Sequence, residues 1–112
     1  MGVSSRLTPA AKAAIEGADE VYVSAASLWE IAIKAGTGKL RADVDRLITT
    51  VDSSGFLELC VTAEHAAFVA ELPPHHRDPF DRLLIAQAMT EPLVLLTADE
   101  SLVQYTDLVR LV

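Results

Sequence analysis

Three carboxylates in this sequence have the residue type and the placement that a metal-dependent reaction requires. Glu30 and Asp81 lie near the starts of predicted helices, and Asp99 directly follows a predicted strand. Hard divalent cations such as Mg²⁺ take oxygen ligands and usually keep several waters, so a few converging carboxylates are enough to bind one. A cation held in this way orients a water molecule and stabilises negative charge that develops on a phosphate. The three acids are therefore the candidate metal ligands and catalytic residues.

Each acid also has a purely structural interpretation. Ser27 and Glu30 have the spacing of a capping box, and Asp78 and Asp81 repeat that spacing around a proline. Asp99 is explained equally well as a turn residue before a short helix. Taken singly, local spacing favours capping for every one of them, because acids at helix starts are ordinary. Only their convergence at one edge of a sheet would favour a functional site.

Other chemistries have weaker support in the sequence. Residues 75–77, His-His-Arg, form a basic patch that could touch phosphate, although a solvated loop is the favoured interpretation. Two adjacent histidines with no cysteine nearby are poorly spaced for zinc. The sequence has no Gly-x-Ser-x-Gly elbow, no phosphate loop and no Gly-x-Gly-x-x-Gly motif. Arg82 is expected either to steer a substrate or to pair with a neighbouring acid.

The elements that position these acids alternate between helix and strand. Helices are predicted at about 8–16, 27–36, 43–52, 63–71, 79–90 and 100–104, and strands at 21–23, 56–61, 93–96 and 108–112. The run Leu93–Leu96 lacks alternation, which is typical of a strand buried on both faces of a covered parallel sheet. Alternating elements predict an α/β fold with right-handed crossovers. Ligand sites in such sheets lie at the carboxyl ends of the strands.

Packing roles follow from the apolar pattern. The residues expected in the core are Trp29, Leu28, Phe80, Leu83 and Leu84. Cys60 is expected to be a small buried hydrophobe, and His65 is expected to be packed or exposed rather than catalytic.

Composition limits the class of protein. The chain has 112 residues, of which 51% are hydrophobic and 22% charged, and this predicts one globular domain over residues 1–112. No apolar run is long enough for a membrane span, no secretory signal is present, and the single cysteine indicates a reducing, cytoplasmic setting. A net charge of −7 argues against a protein that coats nucleic acid. It does not exclude a nuclease, because a bound cation inverts the local field.

Three segments together resemble the signatures of the PIN-domain ribonuclease toxins of the VapC type. They are residues 23–34 with Gly-Lys-Leu at 38–40, residues 72–88, and Leu-Leu-Thr-Ala-Asp at 95–99. The resemblance implies a three-layer α/β/α fold with a mainly parallel sheet. It also implies an Mg²⁺- or Mn²⁺-dependent endoribonuclease that cleaves cellular RNA, forms a homodimer and is silenced by a cognate antitoxin. The family's acids fall on Glu30, Asp81 and Asp99; Asp78 belongs to the signature but is expected to cap its helix.

The sequence departs from that family at its start. Family members begin with an apolar strand that carries an aspartate, and residues 1–5, Met-Gly-Val-Ser-Ser, have no such pattern. Without it, strands 21–23 and 93–97 lose a shared neighbour. Three explanations stay open: a start that is internal to a longer chain, a truncated chain with weakened metal binding, or closure of the gap by direct pairing or by another chain. The alternative function is that of a catalytically impaired domain that dimerises and binds antitoxin. A third interpretation is that all three acids only cap helices and have no catalytic function.

Overall fold

The structure is a computed structural model that describes residues 8–41 and 43–112. Helices and strands alternate along the described chain, which confirms the predicted α/β class. The elements are α1 (Pro9–Glu16), β1 (Tyr22–Ser24), α2 (Ala25–Gly36), α3 (Val44–Ser53), β2 (Leu57–Leu59), α4 (Ala63–Phe68), α5 (Pro79–Thr90), β3 (Leu95–Thr97) and β4 (Val109–Leu111). Two 3₁₀ segments, Val69–Glu71 and Glu100–Tyr105, follow α4 and β3.

Side-chain caps determine where the helices begin. Thr8 accepts a hydrogen bond from the backbone N–H of Ala11, as the sequence predicts for α1. Helix α2 begins earlier than predicted, because the Ser24 hydroxyl accepts from the N–H of Ala26 over 3.1 Å. Ser27 is buried inside α2, so the predicted capping box with Glu30 is wrong. Glu30 therefore lies in the second turn of α2 rather than in the first.

The strands form two separate parallel pairs. β1 pairs with β2, with Tyr22 opposite Leu57, and β3 pairs with β4, with Leu95 opposite Val109. Within the described residues β1 and β3 do not pair, so closure of the gap by direct pairing is wrong. A cleft of about 630 Å³ lies between them instead. The predicted lack of a first strand concerns residues 1–5, which lie outside the described residues.

The apolar core gathers around α5. Its buried members are Leu72, Ile85, Ala86, Leu102, Tyr105 and Val109. Leu84 is also buried, as predicted. The run at 93–96 is only half-buried, and Val94 is 50% exposed, because one edge of β3 borders the cleft rather than another strand. The prediction of a strand buried on both faces is therefore wrong for this run.

Two further packing predictions are wrong. Trp29 is 60% exposed, and its ring makes an edge contact with Phe80, with 5.2 Å between centroids. Cys60 is exposed. His65 is fully buried, and its Nδ1 accepts from the N–H of Thr62 to complete a capping box on α4. None of the described helices is long and apolar enough to cross a membrane.

Candidate metal centre

The start of α5 places Asp81 at the candidate site. Asp78 caps this helix, as predicted, and its Oδ1 accepts from the N–H groups of Phe80 and Asp81 at 2.8 and 3.3 Å. Pro79 takes the first helical position, where its missing N–H costs nothing. Since Asp78 satisfies these backbone donors, the carboxylate of Asp81 in the same turn is free to face away from the helix end.

Asp99 reaches the same place from the carboxyl end of β3. It caps the 3₁₀ segment that begins at Glu100, and its Oδ1 accepts from the backbone N–H and the hydroxyl of Ser101 at 2.9 and 2.7 Å. The hydrogen bonds from Ser101 lower the pKa of Asp99, and His76 acts in the same direction. Asp99 is therefore an ionised carboxylate whose second oxygen is directed at the cluster.

His76 joins the two acids. One ligand atom from each of His76, Asp81 and Asp99 lies within 4.8 Å of the others. The Nε2 atom of His76 is 3.4 Å from Oδ2 of Asp99 and 3.8 Å from Oδ2 of Asp81. The side chain of Asp81 is 26% exposed and that of Asp99 is 44% exposed, so water reaches the cluster. We call these three residues the acid–histidine cluster.

Like charges converge on Asp81. Burial raises its pKa first, and the neighbouring carboxylates of Asp78, Glu30 and Asp99 raise it further, whereas His76 opposes the shift. A carboxylate that is crowded by other carboxylates and partly desolvated is stabilised by any cation that reaches it. The electrostatics of the cluster therefore suit a divalent cation.

The orientation of His76 decides which atoms could bind that cation. Its Nδ1 accepts from the N–H of Asp78 over 3.0 Å, so the neutral ring carries its proton on Nε2, which faces the two acids. In this tautomer the Nε2–H of His76 is directed at Asp99, 3.4 Å away, and its 3.8 Å distance to Asp81 is too long for a hydrogen bond, so His76 is a neighbour of the acids and not a metal ligand. The remaining donors are carboxylate oxygens, which fit Mg²⁺ or Mn²⁺ rather than zinc.

Glu30, the third predicted ligand, lies outside the cluster. Its carboxylate pairs with Lys34 one helical turn later, at 3.2 Å. It is nevertheless close enough to Asp81 to contribute to the raised pKa of that residue. The structure thus brings Asp81 and Asp99 together and leaves Glu30 at the border of the site.

The match to known families covers nearly the whole chain. Residues 4–108 match the PIN domain family. The chain belongs to the PIN-domain family. PIN domains are a nuclease fold, generally metal-dependent and commonly acting on RNA, and they typically use Mg²⁺ or Mn²⁺. The comparison with curated proteins gave no match.

Two basic residues of this PIN domain have roles that the sequence did not reveal. His76 was expected in a solvated loop, and the signal that could have singled it out is its position two residues before the cap of α5. Among residues 8–41 and 43–112, Arg82 forms no ion pair with an acid, so that expectation is wrong. Its guanidinium donates to the carbonyls of Val69, Leu72, Pro73 and His76 and to the hydroxyl of Tyr105.

A shallow basic groove borders the site. It has a volume of about 490 Å³, and its charged lining residues are Lys34, Lys39 and Arg77 against Glu30 and Asp78. Cations therefore outnumber acids around this groove, in a chain whose net charge is −7. We refer to this surface as the basic groove. Phosphate groups bind preferentially at such positions.

Proposed function

We propose that this PIN domain is a metal-dependent endoribonuclease whose acid–histidine cluster, with Glu30 at its border, is the active site. The observation that carries the proposal is the meeting of Asp81 and Asp99, from separate parts of the chain, within 4.8 Å of one another and of His76. Capping accounts for Asp78 and for one oxygen of Asp99, and it leaves the carboxylate of Asp81 unexplained.

Each residue has a definable task. Asp81 and Asp99 would hold Mg²⁺ or Mn²⁺, and a cation bound there supplies a positioned water and stabilises charge on the scissile phosphate. Ser101 fixes the rotamer of Asp99 through two hydrogen bonds, so Oδ2 stays directed at the cluster. His76 directs its Nε2 at Oδ2 of Asp99 over 3.4 Å and helps to orient that carboxylate, as hydrogen-bonding neighbours of metal ligands generally do. Glu30 adds negative charge, and Lys34 holds its side chain in place.

The basic groove supports RNA as the substrate. Lys39 and Arg77 can neutralise phosphates beside the cluster, and the exposed ring of Trp29 lies against Phe80, which lines the same groove. Unpaired bases stack on exposed aromatic rings, whereas bases inside a duplex are already stacked. A single-stranded segment is therefore the substrate that this surface favours.

Cleavage assays test the proposal directly. We expect cleavage of a fluorescent RNA with unpaired loops in Mg²⁺ or Mn²⁺, no cleavage in excess chelator, and loss of at least 100-fold in Asp81→Asn and Asp99→Asn. Asp107→Asn is the matched control, because it removes an exposed acid of the same type outside the cluster. Undiminished cleavage in chelator, or an active Asp81→Asn variant, would contradict the proposal.

The biological setting is a finer proposal, and it rests on the VapC-like resemblance. In it the protein is a toxin that acts in the cytoplasm as a homodimer and is neutralised by a cognate antitoxin protein. Expression of the wild-type chain in a bacterial host should then arrest growth, and Asp81→Asn should relieve the arrest at equal protein level. Growth arrest that persists in Asp81→Asn would contradict toxicity through RNA cleavage.

A second candidate function is a catalytically impaired PIN domain that dimerises and binds an antitoxin. It is favoured by the position of Glu30, which pairs with Lys34 and leaves only two carboxylates in the cluster. Titration calorimetry separates the two candidates. A nuclease should release or absorb heat on binding Mn²⁺ at millimolar concentration, and Asp81→Asn should lose that heat. An impaired domain should show no metal-linked heat in either protein.

A further inference from the structure

The side chain of Trp29 presents an open aromatic face at the border of the acid–histidine cluster. It is 60% exposed, the largest value for a large hydrophobic residue in the described part of the chain. Its ring meets Phe80 at an interplanar angle of 69°, and an edge contact of this kind covers at most one face of an indole. Ile33, one helical turn later on the same side of α2, is 43% exposed and extends this surface to the basic groove. A flat ligand therefore has room against the indole.

Both rings of this aromatic pair are next in sequence to an acid of the proposed active site. Trp29 precedes Glu30 on α2, and Phe80 precedes Asp81 on α5, and the two helices pack against each other. Consecutive Cα atoms are only about 3.8 Å apart, so each ring lies close to the acid that follows it. A group stacked on the indole would therefore lie beside the scissile phosphate.

The charges around Trp29 distinguish a surface for a base from a surface for phosphates. Glu30 and Lys34 lie 3.2 Å apart and neutralise each other, so this pair adds no net charge next to the indole. Lys39 and Arg77 line the basic groove and form no ion pair within residues 8–41 and 43–112. A neutral nucleobase suits the first surface, and phosphate oxygens suit the second. An unpaired nucleotide has both groups.

The turn that ends α2 holds the backbone of Lys39 in a defined place relative to Trp29. Gly38 has a φ of 75°, which glycine adopts without strain, and it directs the chain back towards the helix. The N–H groups of Lys39 and Leu40 donate to the carbonyl of Lys34 at 3.0 and 3.2 Å. The contacts to base and phosphate would therefore come from one unit, α2 with its terminal turn.

We propose that Trp29 stacks on an unpaired purine base of the RNA, beside the scissile phosphate, and so selects the nucleotide at which the site cleaves. Single-stranded RNA is recognised through splayed bases that stack on aromatic side chains. Every base has a π-face, and purines have the larger one, so differences in stacking strength give a modest preference for purines. The inference rests on the proposed RNA cleavage and adds the base that this site selects.

Fluorescence of the full chain tests base stacking directly, because Trp29 is its only tryptophan. In chelator, which prevents cleavage, a short single-stranded adenosine oligomer should quench this fluorescence. The matched control is an abasic oligomer of the same length, which keeps the ribose and phosphates but has no base. It should leave the fluorescence unchanged and bind about tenfold more weakly, the effect expected for the stacking of one base. Equal quenching by the two oligomers would overturn the proposal, and so would quenching by neither. Equal affinity for adenosine and uridine oligomers would overturn the selection of a purine.

Two variants separate the indole from the fold. Trp29→Leu keeps an apolar, helix-forming residue but removes the ring, so binding of the adenosine oligomer should weaken about tenfold and binding of the abasic oligomer should not change. Tyr22→Leu is the matched control, because it removes another exposed aromatic ring that does not line the groove, and it should change neither affinity. Anisotropy of labelled oligomers measures both affinities. A loss of abasic oligomer binding in Trp29→Leu would mean a structural role for the indole and would overturn the proposal.

Cleavage products distinguish a failure of this inference from a failure of the proposed function. Metal-dependent cleavage that Asp81→Asn abolishes, but that occurs equally at purines and pyrimidines, would leave the nuclease in place and overturn the selection by Trp29. Adenosine-specific quenching in a protein that cleaves no RNA would support base stacking and contradict the nuclease. A shift of the tryptophan emission that grows with protein concentration and prevents quenching would assign the indole to a contact between two copies, which would overturn the inference.

Discussion

At the scale of single residues, the acid–histidine cluster contains two aspartates with opposite electrostatics. Burial and neighbouring carboxylates raise the pKa of Asp81, whereas hydrogen bonds from Ser101 lower the pKa of Asp99. Asp99 is thus stabilised as an anion by the protein itself, and Asp81 is the group that gains most from a cation. Two acids of one cluster whose pKa values shift in opposite directions are typical of functional sites. Capping alone does not require the crowding of carboxylates around Asp81.

The raised pKa of Asp81 leads to a stability prediction with a defined sign. An acid whose pKa in the folded state exceeds its ordinary 3.8 destabilises the folded state when it is ionised, and this cost disappears below about pH 3.8. In metal-free buffer at pH 7, we expect Asp81→Asn to melt at a higher temperature than the wild type. The difference should shrink as the pH falls towards 3.8. Asp99→Asn should show the opposite sign at pH 7, because the pKa of Asp99 is lowered. Equal melting of the Asp81→Asn variant and the wild type at pH 7 would contradict the crowding of Asp81.

Adding Mn²⁺ should reverse the order of stability at pH 7. A ligand that binds only the folded state stabilises it by about 2.7 kcal/mol at a concentration 100 times its Kd. The wild type should gain this stabilisation, and Asp81→Asn should gain little of it. Differential scanning fluorimetry with and without Mn²⁺ measures both the melting difference between the two proteins and the stabilisation of each by the metal.

His76 should support metal binding without being a ligand. Because its Nε2 faces Oδ2 of Asp99, His76→Ala should weaken Mn²⁺ binding by about tenfold, the lower end of the range for hydrogen-bonding neighbours of metal ligands. His76→Gln keeps a donor in the side chain and should recover part of the loss. His75 is the matched control, because its ring packs against Tyr105 and not against the acids. Calorimetry on the three variants measures these affinities. A strong effect of His75→Ala would mean that the loss of Mn²⁺ binding comes from a changed loop conformation and not from the His76 side chain.

At the scale of elements, Arg82 fixes the loop that carries His76. From the second turn of α5 its guanidinium donates to backbone carbonyls on both sides of the Pro73-Pro74 break and to the hydroxyl of Tyr105. These contacts join α5 to the 3₁₀ segment Val69–Glu71 and to the chain before the cap at Asp78. The position of His76 beside the two aspartates therefore depends on an arginine that contacts the cluster only through the backbone carbonyl of His76.

Replacement of Arg82 by lysine should be costly for this reason. Lysine keeps the charge but lacks the planar fork, so several carbonyls lose a donor at once. Hydrogen bonds to charged groups contribute about 1.5–3 kcal/mol each in mutational data, and we expect Arg82→Lys to lower the free energy of unfolding by about 2 kcal/mol. Urea denaturation measures the loss. Arg77→Lys, at an exposed position, should change it by less than about 0.5 kcal/mol.

The sequence predicted the helices and strands well and their tertiary contacts poorly. The bounds of α5 follow directly from Asp78, Pro79 and the apolar run, because capping is a local interaction. The start of α2 was misplaced by two residues, since Ser24 and Ser27 both have a capping side chain and only tertiary packing decides between them. Ser24 is also bound to Gln87 of α5, a contact across 63 residues that no local pattern encodes.

The candidate site was predictable to the same limited degree. Residue type and position indicated Asp81 at the start of a helix and Asp99 after a strand, and the resemblance added their common role. The distance of Glu30 from the cluster and the tautomer of His76 depend on side-chain contacts with Lys34 and Asp78, which appear only in three dimensions. Exposure of Trp29 was unpredictable for the same reason, because an apolar side chain near the helix start is equally consistent with core and with a binding surface.

At the scale of the whole molecule, an acidic protein has to bind an acidic substrate. The net charge is −7, and the half of the chain from 57 to 112 has three Lys or Arg residues against nine Asp or Glu. Long-range attraction of RNA is therefore absent, and binding must depend on the few cations of the basic groove. A small number of phosphate contacts gives a correspondingly weak dependence of affinity on salt.

The salt dependence of RNA binding tests this charge distribution. Single strands lose affinity with a slope of about −0.7 in log K against log salt for each phosphate that is neutralised, and Lys34 is paired with Glu30, so Lys39 and Arg77 together predict a slope of about −1.4. Lys39→Gln should make the slope shallower by about 0.7, and Lys12→Gln, on the exposed face of α1 outside the groove, should leave it unchanged. Binding is measured by anisotropy in chelator, so that no cleavage occurs. A slope steeper than about −4, or an equal effect of the two lysine variants, would place the RNA on a surface other than the basic groove.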